Sequence, residues 1–486
     1  MHQLATDTAS AKKRGAVDIN FFAGICLLDA FIFPFPPYYV ALFNFLINAV
    51  SDAQIQSVLR LAIGLPRGFA KTTFLKVLVT WLICHDKFSF ICIICATESH
   101  AENFVGDVHV MLTSPNIKEL YGDFDKYKLT DNKGLKKSKF RDRVVIIAGL
   151  GAGSNVRGMN MDLRRPDFIL CDDMQSKEND ANPALSLELL QWAVGTLFKI
   201  VTPFKSVICY VGNMYSTTCL LYKFKEHPDW LSLITGCILE SGESLWPELH
   251  PIESLYRSFE HDSALGEADT WFAEMMNDPV ARSDALLDGP LPVKRYSGVI
   301  EAESGFVTID PAGFKDGADD NVITGHKVLN GHYHIAEMDG GKWDPGLVVR
   351  NAITMCVRVE GNLIGVESVA YQSTLAYWML RYMETNHVHG IQVVELTVGN
   401  VSKERRIRAF IKEMYAGEYS FLRDSDRMKF TWQAAMYRSG KKKNKDDWLD
   451  SPALGLVVRN KFSALLGRLR QEPVASAGVQ LNNTPF

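Results

Sequence analysis

Through the first half of the chain, short unbroken apolar runs alternate with longer stretches in which apolar and polar residues mix at helical spacing. The runs are Leu61–Gly64, Phe90–Ala96, Val144–Ala148, Phe168–Cys171 and Ser206–Gly212. Runs of this length predict strands buried on both faces, and their alternation with helices predicts a mostly parallel sheet covered on both sides. The first run is followed by an apolar helical stretch from Phe74 to Cys84. The most apolar segment, Phe21 to Val50, is interrupted by Asp29, Pro34, Pro36 and Pro37. A membrane span needs roughly 20 uninterrupted apolar residues, so this segment predicts buried helices. Residues 1–15 read as a polar, mobile start.

Residues 241–300 change character, with Trp246-Pro247, His250-Pro251, Asp278-Pro279 and a Gly289–Pro292 stretch, and are expected to form a junction holding helices at Ile252–Phe259 and Thr270–Met276. The pattern then restarts. Phe306–Ile309, Val322–Leu329 and His332–Glu337 predict three consecutive strands. Helix Pro345–Val359, strand Leu363–Val366, helix Leu375–Met383, strand Ile391–Leu396 and helix Lys403–Glu413 follow, with one last amphipathic helix near 451–470. A meander followed by α/β crossovers is the order of a ribonuclease-H-like fold. The expected division is therefore an N-terminal domain over 1–240, a linker or subdomain over 241–300, a second domain over 301–472 and a flexible tail over 473–486.

Composition adds limits. The chain has 486 residues, 47% hydrophobic and 22% charged, the balance of a globular protein. A formal net charge of −4 supplies no general attraction for nucleic acid, so any such contact must come from local patches. Nine cysteines are scattered without a disulfide framework, which suits a reducing compartment. Cys92 and Cys95 lie inside an apolar run with no second ligand pair, so they read as buried strand residues rather than a zinc site.

The segment Gly64-Leu65-Pro66-Arg67-Gly68-Phe69-Ala70-Lys71-Thr72-Thr73 joins a predicted strand to a predicted helix. That is the context of a phosphate-binding P-loop, in which backbone N–H groups and the helix N-terminus cradle phosphate. Residues Pro66 to Thr73 are the candidate nucleotide-binding set: Lys71 reaches the β- and γ-phosphates and Thr72 holds Mg²⁺. Leu65 and Ala70 stand where the two glycines of the common pattern belong. Phe168–Cys171 ends in Asp172-Asp173; Asp172 is a candidate magnesium ligand and Asp173 a candidate for orienting the attacking water. Two arginines are candidates for stabilising charge on the transferred phosphoryl group, Arg67 in the loop and Arg157 in Gly153–Gly158; the other reading for Arg157 is a loop arginine that binds a DNA phosphate or nothing. Gly149-Leu150-Gly151-Ala152-Gly153 lacks dinucleotide-fingerprint spacing. The polar loop after Gly212, beginning Asn213, is expected to face the nucleotide and to couple hydrolysis to domain movement.

The second half carries three acidic motifs. Val307-Thr308-Ile309 delivers Asp310, Leu363–Val366 delivers Glu367, and Asp446-Asp447-Trp448-Leu449-Asp450 precedes the final helix, with Asp447 and Asp450 on one helical face. Carboxylates from two strand ends and a helix start can converge on two divalent ions about 3.5–4 Å apart, which activate water and stabilise the leaving oxygen of a phosphodiester. Oxygen ligation favours Mg²⁺, with Mn²⁺ able to substitute. The candidate metal ligands are Asp310, Glu367, Asp447 and Asp450, and Asp310, Glu367 and Asp450 form the catalytic set. Lys403, Arg405, Arg406, Lys441, Lys442 and Lys443 are the candidate DNA-backbone contacts. Trp432, Tyr437 and Trp448, interleaved with them, read as packing.

Together, Pro66-Arg67-Gly68 ahead of Lys71-Thr72, the Arg157-Gly158 loop, Asp172-Asp173 and the Asp310/Glu367/Asp450 set resemble the large terminase subunit of tailed bacteriophages. Asp278-Pro279 and Lys403-x-x-Arg406-Ile407 also look like features of that family. The resemblance, spanning Pro34 to Arg470, implies an α/β protein with an ASCE-type P-loop ATPase domain and an RNase H-like nuclease domain. It implies ATP as fuel, translocation of double-stranded DNA into procapsids, and cutting of concatemers. It further implies a homo-oligomeric ring of five subunits, a portal protein and a small terminase subunit as partners, and no membrane. The expected location is the host cytoplasm, transiently at the procapsid portal vertex and not in the mature virion. Asp172-Asp173 departs from the Asp-Glu frequent in that family, which leaves a shorter carboxylate for the water. A P-loop helicase or repair ATPase whose second domain only binds nucleic acid is the alternative reading. A third keeps the nuclease and makes the P-loop domain a nucleotide-sensing assembly module.

Overall fold

The computed structural model describes residues 8–51, 57–156, 159–279, 286–287, 291, 293–294, 303–312, 320–367, 372–397, 402–422, 427–437 and 444–466. The chain divides into two compact units, one of residues 1–255 with 268–280 and one of residues 256–267 with 281–486. The 241–300 region is thus shared between them.

The first unit is built on an eight-stranded sheet. Its strands are β1 Val58–Gly64, β2 Phe90–Cys95, β3 Lys128–Asp131, β4 Leu135–Phe140, β5 Arg143–Gly151, β6 Phe168–Asp172, β7 Ser206–Gly212 and β8 Leu231–Ile234, in the order β3-β4-β5-β2-β6-β7-β1-β8. The run from β5 to β8 is parallel throughout, and β3 and β4 extend it as an antiparallel flap. β2, β6 and β7 are buried along their whole length, as unbroken apolar strands between two helical layers must be. β7 separates β1 from β6, so the loop strand and the Asp172 strand are one strand apart; this is the ASCE-type P-loop order. The flap carries little apolar patterning, and β8 is only four residues long, so the unbroken apolar runs alone do not predict them.

Before the sheet, Thr8–Val17, Ile19–Leu27 and Pro37–Ser51 are helices. Thr8–Val17 corrects the mobile start expected there: Trp81 Nε1 donates to Gly15 O at 2.9 Å, anchoring that helix. No described helix is long and apolar enough to cross a membrane. All nine cysteines are free and buried, Cys92 and Cys95 within β2.

The glycines of β5 have a packing reason. A Cβ on Gly149 would meet Ala101 O at 2.8 Å, and one on Gly151 would meet Glu98 N at 2.7 Å. Helix Glu98–Leu112 therefore lies directly on the strand's backbone.

The second unit is built on a seven-stranded sheet of β9 Val293–Lys294, β10 Ser304–Asp310, β11 Asn321–Leu329, β12 His332–Gly341, β13 Gly361–Glu367, β14 Gln392–Leu396 and β15 Tyr419–Leu422. Its order is β14-β13-β10-β11-β12-β15-β9. β10, β11 and β12 form an antiparallel meander, and β13 and β14 add parallel to β10. That is the RNase H-like arrangement, extended at the β12 edge by β15 and β9. The expected last helix is two, Asp447–Ala453 and Gly455–Leu466, meeting at Leu454. Pro452 cannot donate a backbone hydrogen bond, and a Cβ on Gly455 would strike Tyr419 and His326, so the chain passes this point in close contact with the sheet.

Candidate nucleotide and metal sites

The P-loop lies between β1 and helix Lys71–Cys84. Gly68 has φ +79° and Ala70 φ +53°. Ala70 therefore holds the left-handed geometry that a glycine would adopt freely, at a cost of roughly 1–2 kcal/mol. Neighbours clamp the loop in return. Tyr39 Oη donates to Phe69 O at 2.6 Å, Asn213 Nδ2 donates to Leu65 O at 3.1 Å, and His250 Nε2 lies 3.1 Å from Gly68 O. Arg67 N donates to Glu274 O at 2.9 Å, and the Arg67 guanidinium pairs with Glu274 Oε2 at 2.8 Å.

Lys71 is buried, with Nζ 2.7 Å from Asp173 Oδ1 and 2.5 Å from Asn213 Oδ1. Asp173 follows β6 in a left-handed conformation, φ +44°, and its N–H donates to Val211 O on β7. Asp172 is 5% exposed and hydrogen-bonded by Thr72. Burial, and then the charge of Asp173, push its carboxyl up to about 6, against the pull of Lys71. Its Oδ1 has no hydrogen-bond partner among the described residues. An orphaned buried carboxylate oxygen beside a threonine hydroxyl at a P-loop fits a magnesium ion. Lys71, Thr72, Asp172 and Asp173 thus come together as expected. Arg67 adjoins them but is turned to Glu274, and Arg157 lies outside the described residues. Tyr39, His250 and Glu274 carry no sequence signal, being far from the loop along the chain; Asn213 is signalled by its position after β7.

In the second unit the Asp310 and Glu367 strands are adjacent and parallel, with Ile309 opposite Val366, so the two carboxylates leave the sheet side by side. Asp450 reaches them from helix Asp447–Ala453. That helix is seated by buried polar contacts: Thr308 Oγ1 donates to Ser451 O at 2.7 Å, and Ser451 Oγ lies 2.9 Å from Thr324 Oγ1. His326 Nε2 is 2.9 Å from Thr308 Oγ1, and Tyr419 Oη is 3.4 Å from His326 Nδ1. The Thr308 proton goes to Ser451 O, so His326 donates through Nε2 and accepts at Nδ1. Burial lowers His326 to about 3, keeping the ring neutral.

Oxygens of Asp310, Glu367 and Asp450 lie within 4.8 Å of one another. Asp447 is outside this convergent set, and its Oδ2 accepts from Asp320 N at 3.2 Å. Asp310 is raised well above the ordinary carboxyl range, foremost by burial and further by the neighbouring acids, with Lys403 opposing. An all-oxygen donor set fits Mg²⁺ or Mn²⁺.

Lys403 and Arg406 lie within this cluster. Arg406 is 6% exposed; its Nε donates to Asp450 Oδ1 at 2.7 Å, its Nη2 to Asp450 Oδ2, and the same Nη2 to Glu367 Oε1 at 2.7 Å. Lys403 Nζ is 2.8 Å from Asp446 and 3.4 Å from both Asp310 and Asp450. Arg405 is exposed, and Lys441, Lys442 and Lys443 lie outside the described residues. Trp448 is buried, and Trp432 packs edge-on against Phe259.

Fold and side chains define an α/β protein in which an ASCE-type P-loop unit and an RNase H-like unit each present charged residues at the C-terminal ends of parallel strands. Neither the protein-family models nor the curated proteins give a match. Among solved structures the chain is similar to large terminases. The HK97 bacteriophage large terminase aligns over 90% of this chain and 99% of its own, with 10% identity and a TM-score of 0.36. The large terminase of a thermophilic bacteriophage in complex with ADP aligns over 88% of this chain and 100% of its own, with 12% identity and a TM-score of 0.34. The Mn-soaked human cytomegalovirus terminase nuclease domain aligns over 34% of this chain and 86% of its own, with 12% identity and a TM-score of 0.28.

Proposed function

We propose that this chain is a DNA-packaging motor of the large terminase kind, hydrolysing ATP to move double-stranded DNA and cutting it with a metal-dependent nuclease. The observation that carries the reading is the presence, in one chain, of the Lys71–Asp173–Asn213 cluster with its orphaned Asp172 oxygen and of the convergent Asp310, Glu367 and Asp450.

In the ATPase unit, Lys71 exchanges Asp173 and Asn213 for the β- and γ-phosphate oxygens when nucleotide binds. Asp173, released from Lys71, accepts a hydrogen bond from the attacking water and orients it. Thr72 and Asp172 would hold Mg²⁺, which neutralises developing phosphate charge. Arg67 or Arg157 stabilises the transferred group. In the second unit Asp310, Glu367 and Asp450 would hold divalent ions, which supply water activation and leaving-group stabilisation. Thr308, His326 and Ser451 keep the helix of Asp450 in register with the two strand ends. The reading extends to a homo-oligomeric ring at the procapsid vertex in the host cytoplasm, with a portal protein and a small terminase subunit as its partners.

The test is purified protein with plasmid DNA and Mn²⁺, with and without ATP. Cleavage should disappear in Asp310→Ala and Glu367→Ala. ATP turnover should disappear in Lys71→Ala while Mn²⁺-dependent cleavage persists. Cleavage that survives both acid substitutions would remove the nuclease from the reading, and unchanged turnover in Lys71→Ala would remove the motor.

A further inference from the structure

The acid cluster is already partly neutralised by the chain itself. Lys403 and Arg406, one turn apart on helix Lys403–Tyr415, touch five carboxylates: Asp310, Glu367, Asp446, Asp447 and Asp450. Among the described residues, the three convergent acids Asp310, Glu367 and Asp450 face these two cations, a formal charge of −1. One divalent ion brings this to +1, and a second to +3. Geometry limits loading in the same direction. Both oxygens of Asp450 accept from Arg406, and Asp450 is 0% exposed, so a metal that uses Asp450 must share its oxygens with a guanidinium whose positive charge opposes it.

We propose that Arg406 and Lys403 are resident counter-cations of the acid cluster, holding it to one tightly bound divalent ion until one of them is drawn away. The inference deepens the nuclease reading and rests on it in taking the cluster as a metal site. A nucleic-acid phosphate arriving at the cluster is an anion that can take over Arg406 or Lys403, which frees Asp450 for a second ion. Metal loading then follows substrate, and the acids stay shielded from one another without it. Buried like charges are otherwise costly, and a forked arginine is well suited to hold two carboxylates at once.

The test counts Mn²⁺ bound per chain by the electron paramagnetic resonance of free Mn²⁺, on full-length protein without nucleotide or DNA, in an Asp172→Asn background that removes the candidate metal ligand of the first unit; wild type here means the second unit unchanged. Wild type should bind one ion tightly, and Arg406→Gln and Lys403→Gln should each bind two. Arg406→Lys, which keeps the charge, should stay at one. Loss of one positive charge should also tighten the first ion by at least about tenfold, the repulsion between a unit charge and a divalent ion about 6 Å apart in a water-like dielectric. Lys403 is 38% exposed in its side chain, so Lys403→Gln keeps the test available if Arg406→Gln does not fold. Two tight ions in wild type, or one in both glutamine variants, would overturn the inference while leaving the nuclease reading in place. No tight ion in wild type or variants would overturn both.

Discussion

Arg67 and Glu274 are 207 residues apart in the chain and are joined twice, by a side-chain ion pair of 2.8 Å and by the Arg67 N–H donating to the Glu274 carbonyl at 2.9 Å. Glu274 belongs to a π-helical turn, Phe272–Met276, whose main chain also accepts from Asn213 Nδ2 at 2.8 Å. The ion pair is exposed on the arginine side, 70% against 15%, and such pairs contribute about 0–1 kcal/mol. Its consequence is for the direction in which Arg67 points. Glu274→Gln should leave thermal stability nearly unchanged and should tighten nucleotide binding several-fold by releasing Arg67 toward phosphate. Equilibrium binding of a fluorescent ATP analogue checks this, and unchanged affinity would mean that Arg67 only shapes the turn.

On the proposed function, the buried Asp172 should make nucleotide binding pH-dependent. Burial, followed by Asp173, raises its carboxyl from 3.8 to about 6. Because the folded value is the higher one, the empty fold holds this proton more tightly than the unfolded chain does. The resulting stability is present below pH 3.8 and is lost as the pH rises through about 6. Magnesium needs the ionised form, so Mg²⁺-dependent nucleotide affinity should fall about tenfold per pH unit below about pH 6. Titration between about pH 5 and 7.5 should show this slope in wild type, and Asp172→Asn should flatten it.

Thr308 has no part in the acid cluster but fixes where one of its members lies. Its hydroxyl donates to Ser451 O and accepts from His326 Nε2, and it is fully buried. Thr308→Val keeps the shape and leaves both partners unsatisfied, at a cost of about 1–3 kcal/mol. The expected result is a lower denaturant midpoint together with weakened Mn²⁺ binding, since Ser451 adjoins Asp450. A stability loss with unaltered Mn²⁺ affinity would show that the pin does not position Asp450.

The glycines of β5 should behave as packing residues. Gly149→Ala would push a methyl against Ala101 O at 2.8 Å, and overpacking of this kind costs about 1–3 kcal/mol. Chemical denaturation should register the loss, with ATP affinity unchanged wherever the protein is folded.

The strands that carry chemistry are legible in the sequence because they are unbroken apolar runs ending in charge. Ser206–Gly212 coincides with β7, and Phe168–Cys171 stops one residue short of β6. The flap strands β3 and β4 are not legible, since Lys128–Asp131 and Leu135–Phe140 are largely polar and exist through pairing, β4 with β5 and β3 with β4. Arg406 shows the same limit at a site. Its place in a basic, strongly amphipathic helix reads as a DNA-facing charge, whereas its side chain is turned inward onto Asp450 and Glu367.

Local sequence alone determined the strand–loop–helix of the P-loop, the acidic strand ends and the order of the two folds, because periodicity and turn chemistry act over a few residues. Tertiary structure alone decided which acid joins Asp310 and Glu367, where Arg67 points, and which cations sit among the carboxylates. Those outcomes depend on contacts between residues far apart in the chain, where burial raises the cost of an unpaired charge and selects its partner.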